Sequence, residues 1–506
     1  MSNSDMTKDM LVQSLAPLNL PGAVERARAR LAADPYRPLY HYAAPANLLK
    51  DPNGPLYWQG KYHVFYQNNP YEVEDSNMHW GHAMSENLVH WTDLPIALSP
   101  TPGGPDRDGC WSGPIVIVDG APTAVYYGNP AGICIARSHP SDLSLVHWEK
   151  FEGNPIIPPP RAGSPWRPFD PCVWKYGDLW HLICGGRTER GDTAFLLTST
   201  DFINWEYQHE FYESKRSWTE ADEDCAVPDF FSIGDKHMLV FSSHKHGAQY
   251  YLGTYSPSEK KFHLEQHSRL NHNPTIGVTM ESGNYLAPAT LEAPDGRRIL
   301  FSWIGEGRQF SIQQAAGWCG IMAIPRVLSL TGSGVLKMEP IAEIDKLRRR
   351  HRRVAEITVP PGEEIGLEGI GNDVLEISAV IEPLSAHECG LAIRYSSDGA
   401  EQTLVSFSVP ERQIKIDVSR SSQNPEVVDF EEQAAPLELG DNEPLRLRIF
   451  LDRSVIEVFA NKRSCLAKRI YPRSFDGVDV SLFARGGSAK LVSLDAWDME
   501  PIWPHQ

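Results

Sequence analysis

Beyond a short amino-terminal stretch, the chain alternates apolar and polar positions with a period of two. Short runs of Val, Ile, Tyr, Trp and Phe are separated by Gly, Asp and Pro. This is the signature of half-buried β-strands joined by tight turns. One helix is expected near the start, in "GAVERARARLAADP", with a proline stop, within an N-terminal segment 1–36. No long strand–helix–strand pattern follows. Hairpin glycines recur at intervals of about 60 residues: Gly60, Gly120, Gly177, Gly234 and Gly296. Each joins two alternating runs, as hairpins require. A second signature recurs in register with them: "SENLVHW" ending at Trp91, "SDLSLVHW" at Trp148 and "STDFINW" at Trp205. Its Ser, Asp and Asn side chains suit local turns, and its Trp suits packing between repeated units. Five such units predict an all-β fold with a five-bladed β-propeller over residues 37–333. A β-sandwich with irregular hairpins is the competing reading.

The repeat ends in "GWCGIMAIPRVLSLTGSG". A basic, partly helical linker is expected over 334–355, and a second all-β region over 356–506. Runs such as "VLEISAVIEPL", "QIKIDVSR" and "SVIEVFANKR" predict an antiparallel β-sandwich there.

Composition narrows the function. A chain of 506 residues with 41% hydrophobic content is large enough for two cores. Its net charge of −18 disfavours nucleic acid or an anionic membrane as partner. The 14 Trp and 18 Tyr suit stacking on sugar faces, and equally suit a β core. The first residues lack a basic stretch followed by an apolar one, and no segment is apolar enough to span a membrane. Eight scattered cysteines show neither pairing nor metal spacing, so a cytoplasmic protein with reduced thiols is expected. His244 and His246 in "SSHKHG" look like a metal pair, but no third ligand has suitable spacing, so surface or structural histidines are expected.

The repeat register selects candidate chemistry. In a propeller, the first strand of each unit lines a central channel, and residues at its start converge on one mouth. Asp51 lies nine residues before Gly60, and Asp170 seven before Gly177. Glu223 and Asp224 lie eleven and ten before Gly234. Carboxylates converging among aromatic rings suit glycoside cleavage, where one acts as nucleophile and another as acid, about 5 Å apart in retaining enzymes. The plainer reading is that these acids cap turns or bind calcium.

The segments "KDPNGPLYWQGKYHVFYQNNP", "HWGHAMSENLVHW", "CWSG", "FDPCVW", "EDCAVPDFF" and "GWCGIMAIPRVL" resemble successive motifs of the invertase-like fructosidases, glycoside hydrolase family 32. The resemblance runs from about His41 to Trp497. It implies a five-bladed propeller followed by a β-sandwich, and retaining cleavage or transfer of β-fructofuranosyl units with no cofactor or metal. It further implies Asp51 as nucleophile, Asp170 as transition-state stabiliser and Glu223 as acid/base. Gln67, Trp80, Trp111 and Ser112 fall on positions near the sugar, and Asn53 on the nucleophile's loop. The implied partner is a small carbohydrate, with a homodimer possible through the C-terminal module.

The departures cluster in the pocket. Lys50 stands where the family has Asn, and Phe169 where it has Arg, with Arg167 two residues earlier. Asp75 stands where a Trp is common. The family's Glu-Cys-Pro-Asp becomes "EDCAVPD", which leaves Asp224 as the alternative acid and Glu220 as a weaker one. One residue decides which side chain faces the channel; Glu223 is expected there if a bulge displaces the alternation. Lys50 either pairs with Glu74 or Asp75 or contacts an unusual sugar, so sucrose is not assumed as substrate. Hydrolase, fructosyltransferase, including one that forms or cleaves difructose anhydrides, and a non-catalytic sugar-binding homologue are the three functional readings.

Overall fold

The computed structural model describes residues 22–273 and 282–503. Much of the N-terminal segment 1–36 lies outside the described residues. Its helix is seen at Ala23–Leu31, where Ala27 and Leu31 face the core and Arg28 is clamped to Asp93.

Among the described residues, five largely antiparallel sheets of four or five strands then follow in chain order. Their first strands are Asn47–Trp58, Ile115–Val118, Pro171–Tyr176, Ala226–Ile233 and Tyr285–Glu292. These inner strands pack on one another around an axis, and the fifth returns to the first. Closure is reinforced by Trp318–Cys319, which pairs in parallel with Asn47 and Leu48. Closing the ring hides strand edges that would otherwise be sticky.

The repeat signals have direct physical counterparts. Gly60 and Gly120 take φ of 88° and 79° in two-residue hairpin turns, a conformation that side chains resist. Asn87, Asp142 and Asp201 accept backbone N–H bonds within their turns, from Val89, Val146 and Ile203 respectively. Trp91 then packs on Phe301 of the fifth sheet, and Trp148 on Phe65 of the first. The tryptophans therefore join neighbouring sheets.

Residues 334–355, expected as a partly helical link, contain a short 3₁₀ helix flanked by two strands. Leu336–Pro340 completes the fifth sheet, Ala342–Leu347 forms a 3₁₀ turn, and Arg348–Val354 is already an edge strand paired with Ala489–Met499. Beyond it, a seven-stranded and a six-stranded antiparallel sheet enclose a second core that includes Leu375, Ile393, Ile449 and Leu482. The architecture is thus an N-terminal β-propeller and a C-terminal β-sandwich.

The two are joined by buried charge. His41 sits between Asp452 and Glu457, and Arg326 also reaches Glu457. Tyr471 and Arg469 of the sandwich meet Glu306. All eight cysteines are buried and unpaired, including Cys172, Cys184 and Cys225 near the axis.

Candidate active site

The first, fourth and fifth inner strands are bulged at one mouth of the channel. In the first, register slips by one residue between Leu49 and Pro52, which places Lys50 and Asp51 in the bulge. The fourth and fifth slip identically, between Ala226 and Asp229 and between Leu286 and Ala289. Asp170, Val227 and Ala287 take φ of 43°, 44° and 50° there. Such values are costly for any side chain, and most of all for a β-branched one such as valine. Bulges re-aim side chains next to active sites. Here they turn Lys50, Asp51, Val227 and Ala287 into one cavity of about 110 Å³, which Asp170 joins from the residue just ahead of the third inner strand. A longer cavity of about 590 Å³ continues down the axis past Asn53, Ser112 and Asp170.

Asp51 is held by the Ser112 hydroxyl, which donates to its Oδ2 at 2.8 Å; Ser112 in turn accepts from the Gln67 side chain. Asp170 accepts the Val227 N–H at 3.2 Å. Burial, followed by the negative charge of Asp51, raises the Asp170 pKa to about 6. Lys50 donates to Asp75 at 2.7 Å and lies 5.9 Å from the centre of the Trp303 ring. Burial opposes the Lys50 charge, but Asp51, Asp75 and Asp170 outweigh it and raise its pKa. The lysine therefore takes the Asp75 pairing open to it in the sequence while still lining the pocket.

Three polar atoms in the wall have no protein partner among the described residues: Gln67 Oε1, Trp111 Nε1 and Trp303 Nε1. Two are donors and one is an acceptor. Buried polar atoms are normally satisfied; these three are buried behind the cavity surface and do not open onto it.

Several expected contacts lie elsewhere. Trp80 is fully buried and donates to the Trp111 carbonyl at 2.9 Å, so it supports the wall from behind. Asn53 is buried one step further down the channel, where its Oδ1 receives the Gly113 N–H. Phe169 is 41% exposed and packs on Tyr127, and Arg167 is also exposed; neither lines the small cavity.

Glu223 does not face the pocket. It lies in a turn ahead of the fourth inner strand, fully buried, where it accepts from Glu220 N at 2.9 Å and Gln249 Nε2 at 3.0 Å. The expected bulge exists, but it falls at Val227–Pro228, after Cys225, and cannot rotate Glu223 inward. Glu220 is exposed and paired with Lys245 and His246. Glu220, Glu223 and His246 thus bring ligand-type atoms within 4.8 Å of one another, a grouping the sequence spacing did not reveal. Asp224 is turned the other way. It accepts the His244 N–H at 2.9 Å and His244 Nδ1 at 2.6 Å. His244 itself lines the cavity with Asp51 and Asp170.

His244 and Trp303 were missed by sequence reasoning. A signal existed: Gln67 lies seven residues after its hairpin glycine, and Trp303 seven after Gly296. Ser242, Ser243 and His244 follow at the corresponding end of the fourth hairpin. In the first, fourth and fifth units the second strand runs beside the first strand's bulge at about this position.

Comparison with known proteins fits this geometry. Residues 41–340 match the model for the Glycosyl hydrolases family 32 N-terminal domain, and residues 343–498 that for the family's C-terminal domain. The chain belongs to glycosyl hydrolase family 32. It is 30% identical to a sucrose-6-phosphate hydrolase of Zymomonas mobilis, over 94% of this chain and 95% of that protein. It is also 30% identical to a fructan 6-exohydrolase of Beta vulgaris, over 92% and 87% respectively. The crystal structure of fructan 1-exohydrolase IIa from Cichorium intybus superposes with a TM-score of 0.82 at 26% identity, covering 92% of this chain and 98% of that one. As a family 32 member the chain is a glycosidase. Among the described residues, no helix is long and apolar enough to cross a membrane.

Proposed function

We propose that this family 32 glycosidase hydrolyses β-fructofuranosides by double displacement, with Asp51 attacking the anomeric carbon and Asp170 holding ring hydroxyls. The observation that carries the reading is the shared cavity. Asp51, fixed through Ser112 and Gln67, opens onto the same small space as Asp170. A carboxylate nucleophile must be aimed before the substrate arrives, because orientation supplies much of the rate. Ser112 and the bulge supply that aim. Burial and the Asp51 charge raise the Asp170 pKa to about 6, which leaves it an acceptor for sugar hydroxyls above that pH.

Glu223 is committed to Gln249 and a turn N–H. The acid/base function is therefore assigned to the Asp224 side of the pocket, where a group can reach a leaving oxygen. Lys50 and Asp75 replace neutral groups at the sugar's edge. Their charges favour a substrate whose hydroxyls bridge an ammonium and a carboxylate, and mismatched hydroxyls in such a pocket are rejected strongly.

The test is a substrate panel with product analysis: sucrose, inulin- and levan-type oligomers, and difructose anhydrides. Free fructose released with retained configuration, and lost in Asp51→Ala, is the expected result. Release with inversion would sink the nucleophile role. New oligomers in place of fructose would identify a transferase.

A further inference from the structure

We propose that the proton delivered to the leaving sugar is carried by His244, oriented by Asp224, and not by a carboxylic acid. The proposal rests on the retaining fructosidase reading given above. It starts from hydrogen-bond bookkeeping. Both Asp224 oxygens accept N–H bonds, one from the His244 backbone and one from its ring. A carboxylate can only accept, so Nδ1 of His244 carries a hydrogen and Nε2 is left to hold the mobile proton. The ring lines the cavity of Asp51 and Asp170, and its side chain is 70% exposed, so Nε2 is open to substrate and water. No glutamate among the described residues lines that cavity, and the fourth inner strand enters it with Ala226 and Val227.

The charged groups facing the ring come from three elements. Asp224 lies on the preceding turn, Asp51 and Lys50 on the first inner strand, and Asp170 at the start of the third. The Asp224 bond, then the charges of Asp170 and Asp51, raise the His244 pKa above its usual value despite partial desolvation. An imidazolium that holds its proton more firmly than usual, yet opens onto the cavity, is suited to general acid work.

The steps balance. A carboxylate oxygen of Asp51 bonds to the anomeric carbon while the bond from that carbon to the glycosidic oxygen breaks. The departing oxygen takes the Nε2 proton and leaves as an alcohol. Neutral His244 then removes a proton from water, the water oxygen bonds to the anomeric carbon, and the Asp51 ester breaks. Substrate plus water gives two alcohols and restores the imidazolium. Asp224 is a positioning residue: it fixes the tautomer and supports the charge.

The experiment compares 1-kestose, whose leaving group needs a proton, with 4-nitrophenyl β-fructofuranoside, whose leaving group does not. His244→Gln is expected to lose at least about 100-fold in kcat on kestose and less than about 10-fold on the nitrophenyl substrate. It should also lose the alkaline limb of the pH profile. Asp224→Asn should move that limb to lower pH while retaining measurable kestose cleavage. Retained nitrophenyl cleavage shows that the variants are folded. Four results would overturn the proposal: full kestose activity in His244→Gln with its alkaline limb intact; equal losses on both substrates; leaving-group-dependent loss in Asp224→Asn but not in His244→Gln; or such a loss confined to Glu223→Gln. Failure of the underlying reading looks different: wild type cleaves neither substrate, or Asp51→Ala remains active.

Discussion

At the level of single residues, the pocket is governed by who shares charge with Asp51. Ser112 donates directly to it, and a hydrogen bond to a charged group is worth on the order of 1.5–3 kcal/mol. Ser112→Ala is therefore expected to lower kcat by about 10- to 100-fold and also to lower the melting temperature, because the buried Gln67 amide loses its acceptor, measured by steady-state kinetics and calorimetry. Asp170 has the opposite balance between stability and function. Its folded-state pKa of about 6 lies above the unfolded value, so the folded state disfavours its charge. It thus costs stability as pH rises from about 4 through about 6, and the cost persists at neutral pH. Asp170→Asn should abolish turnover yet raise stability at pH 7–8 by on the order of 1–3 kcal/mol. That gain should vanish below about pH 4, where both side chains are neutral. Denaturant melts at the two pH values check the sign. The Trp80 result is a residue-scale lesson too. A fully buried indole can belong to the site by bonding the Trp111 carbonyl, without ever meeting a sugar.

At the level of elements, the bulged inner strands and the turns feeding them set the geometry. The segment carrying Asp224 is held close to the third sheet. Cys225 N donates to the Gly186 carbonyl, and a Cβ on Gly185 would lie 1.9 Å from the Cys225 carbonyl oxygen. No side chain can sit there without displacing the backbone. Gly185→Ala is expected to destabilise the protein by about 1–3 kcal/mol and to lower activity about 10-fold or more by shifting Asp224 and His244. Wild-type activity in a less stable protein would separate the two effects. The repeat that revealed these strands was legible because its glycines, turn carboxylates and tryptophans each do one local job in every unit. The position of the bulge was not legible. Val227 at positive φ violates its own preference, and only the surrounding sheets hold it there.

At the level of the molecule, the sandwich is bound to the propeller through ionic contacts removed from water. Burial alone would lower the His41 pKa, but its bonds to Asp452 and Glu457 raise it to about 9. A raised histidine contributes its stability fully below about pH 6.5 and loses it as pH rises through about 9. His41→Gln should lower the melting temperature clearly at pH 6, because a buried charge pair loses one partner at a cost of about 3–5 kcal/mol. The difference from wild type should narrow by pH 10. A difference independent of pH would mean that packing, not charge, is the cause.

By itself the sequence determined the all-β architecture, the repeated units, the second β region and the convergence of Asp51 and Asp170. Each follows from a local rule: period-two alternation, turn chemistry at fixed intervals, and the place of a residue relative to its hairpin. The tertiary structure decided what depends on the direction of one backbone turn. It set Glu223 away from the pocket and Asp224 toward His244, because the extra residue of the bulge falls two positions after Cys225 and not before it. It also brought in Trp303 and His244 from neighbouring sheets. Which side chain meets another across a ring of sheets is set by packing among distant segments, and no local pattern carries that information.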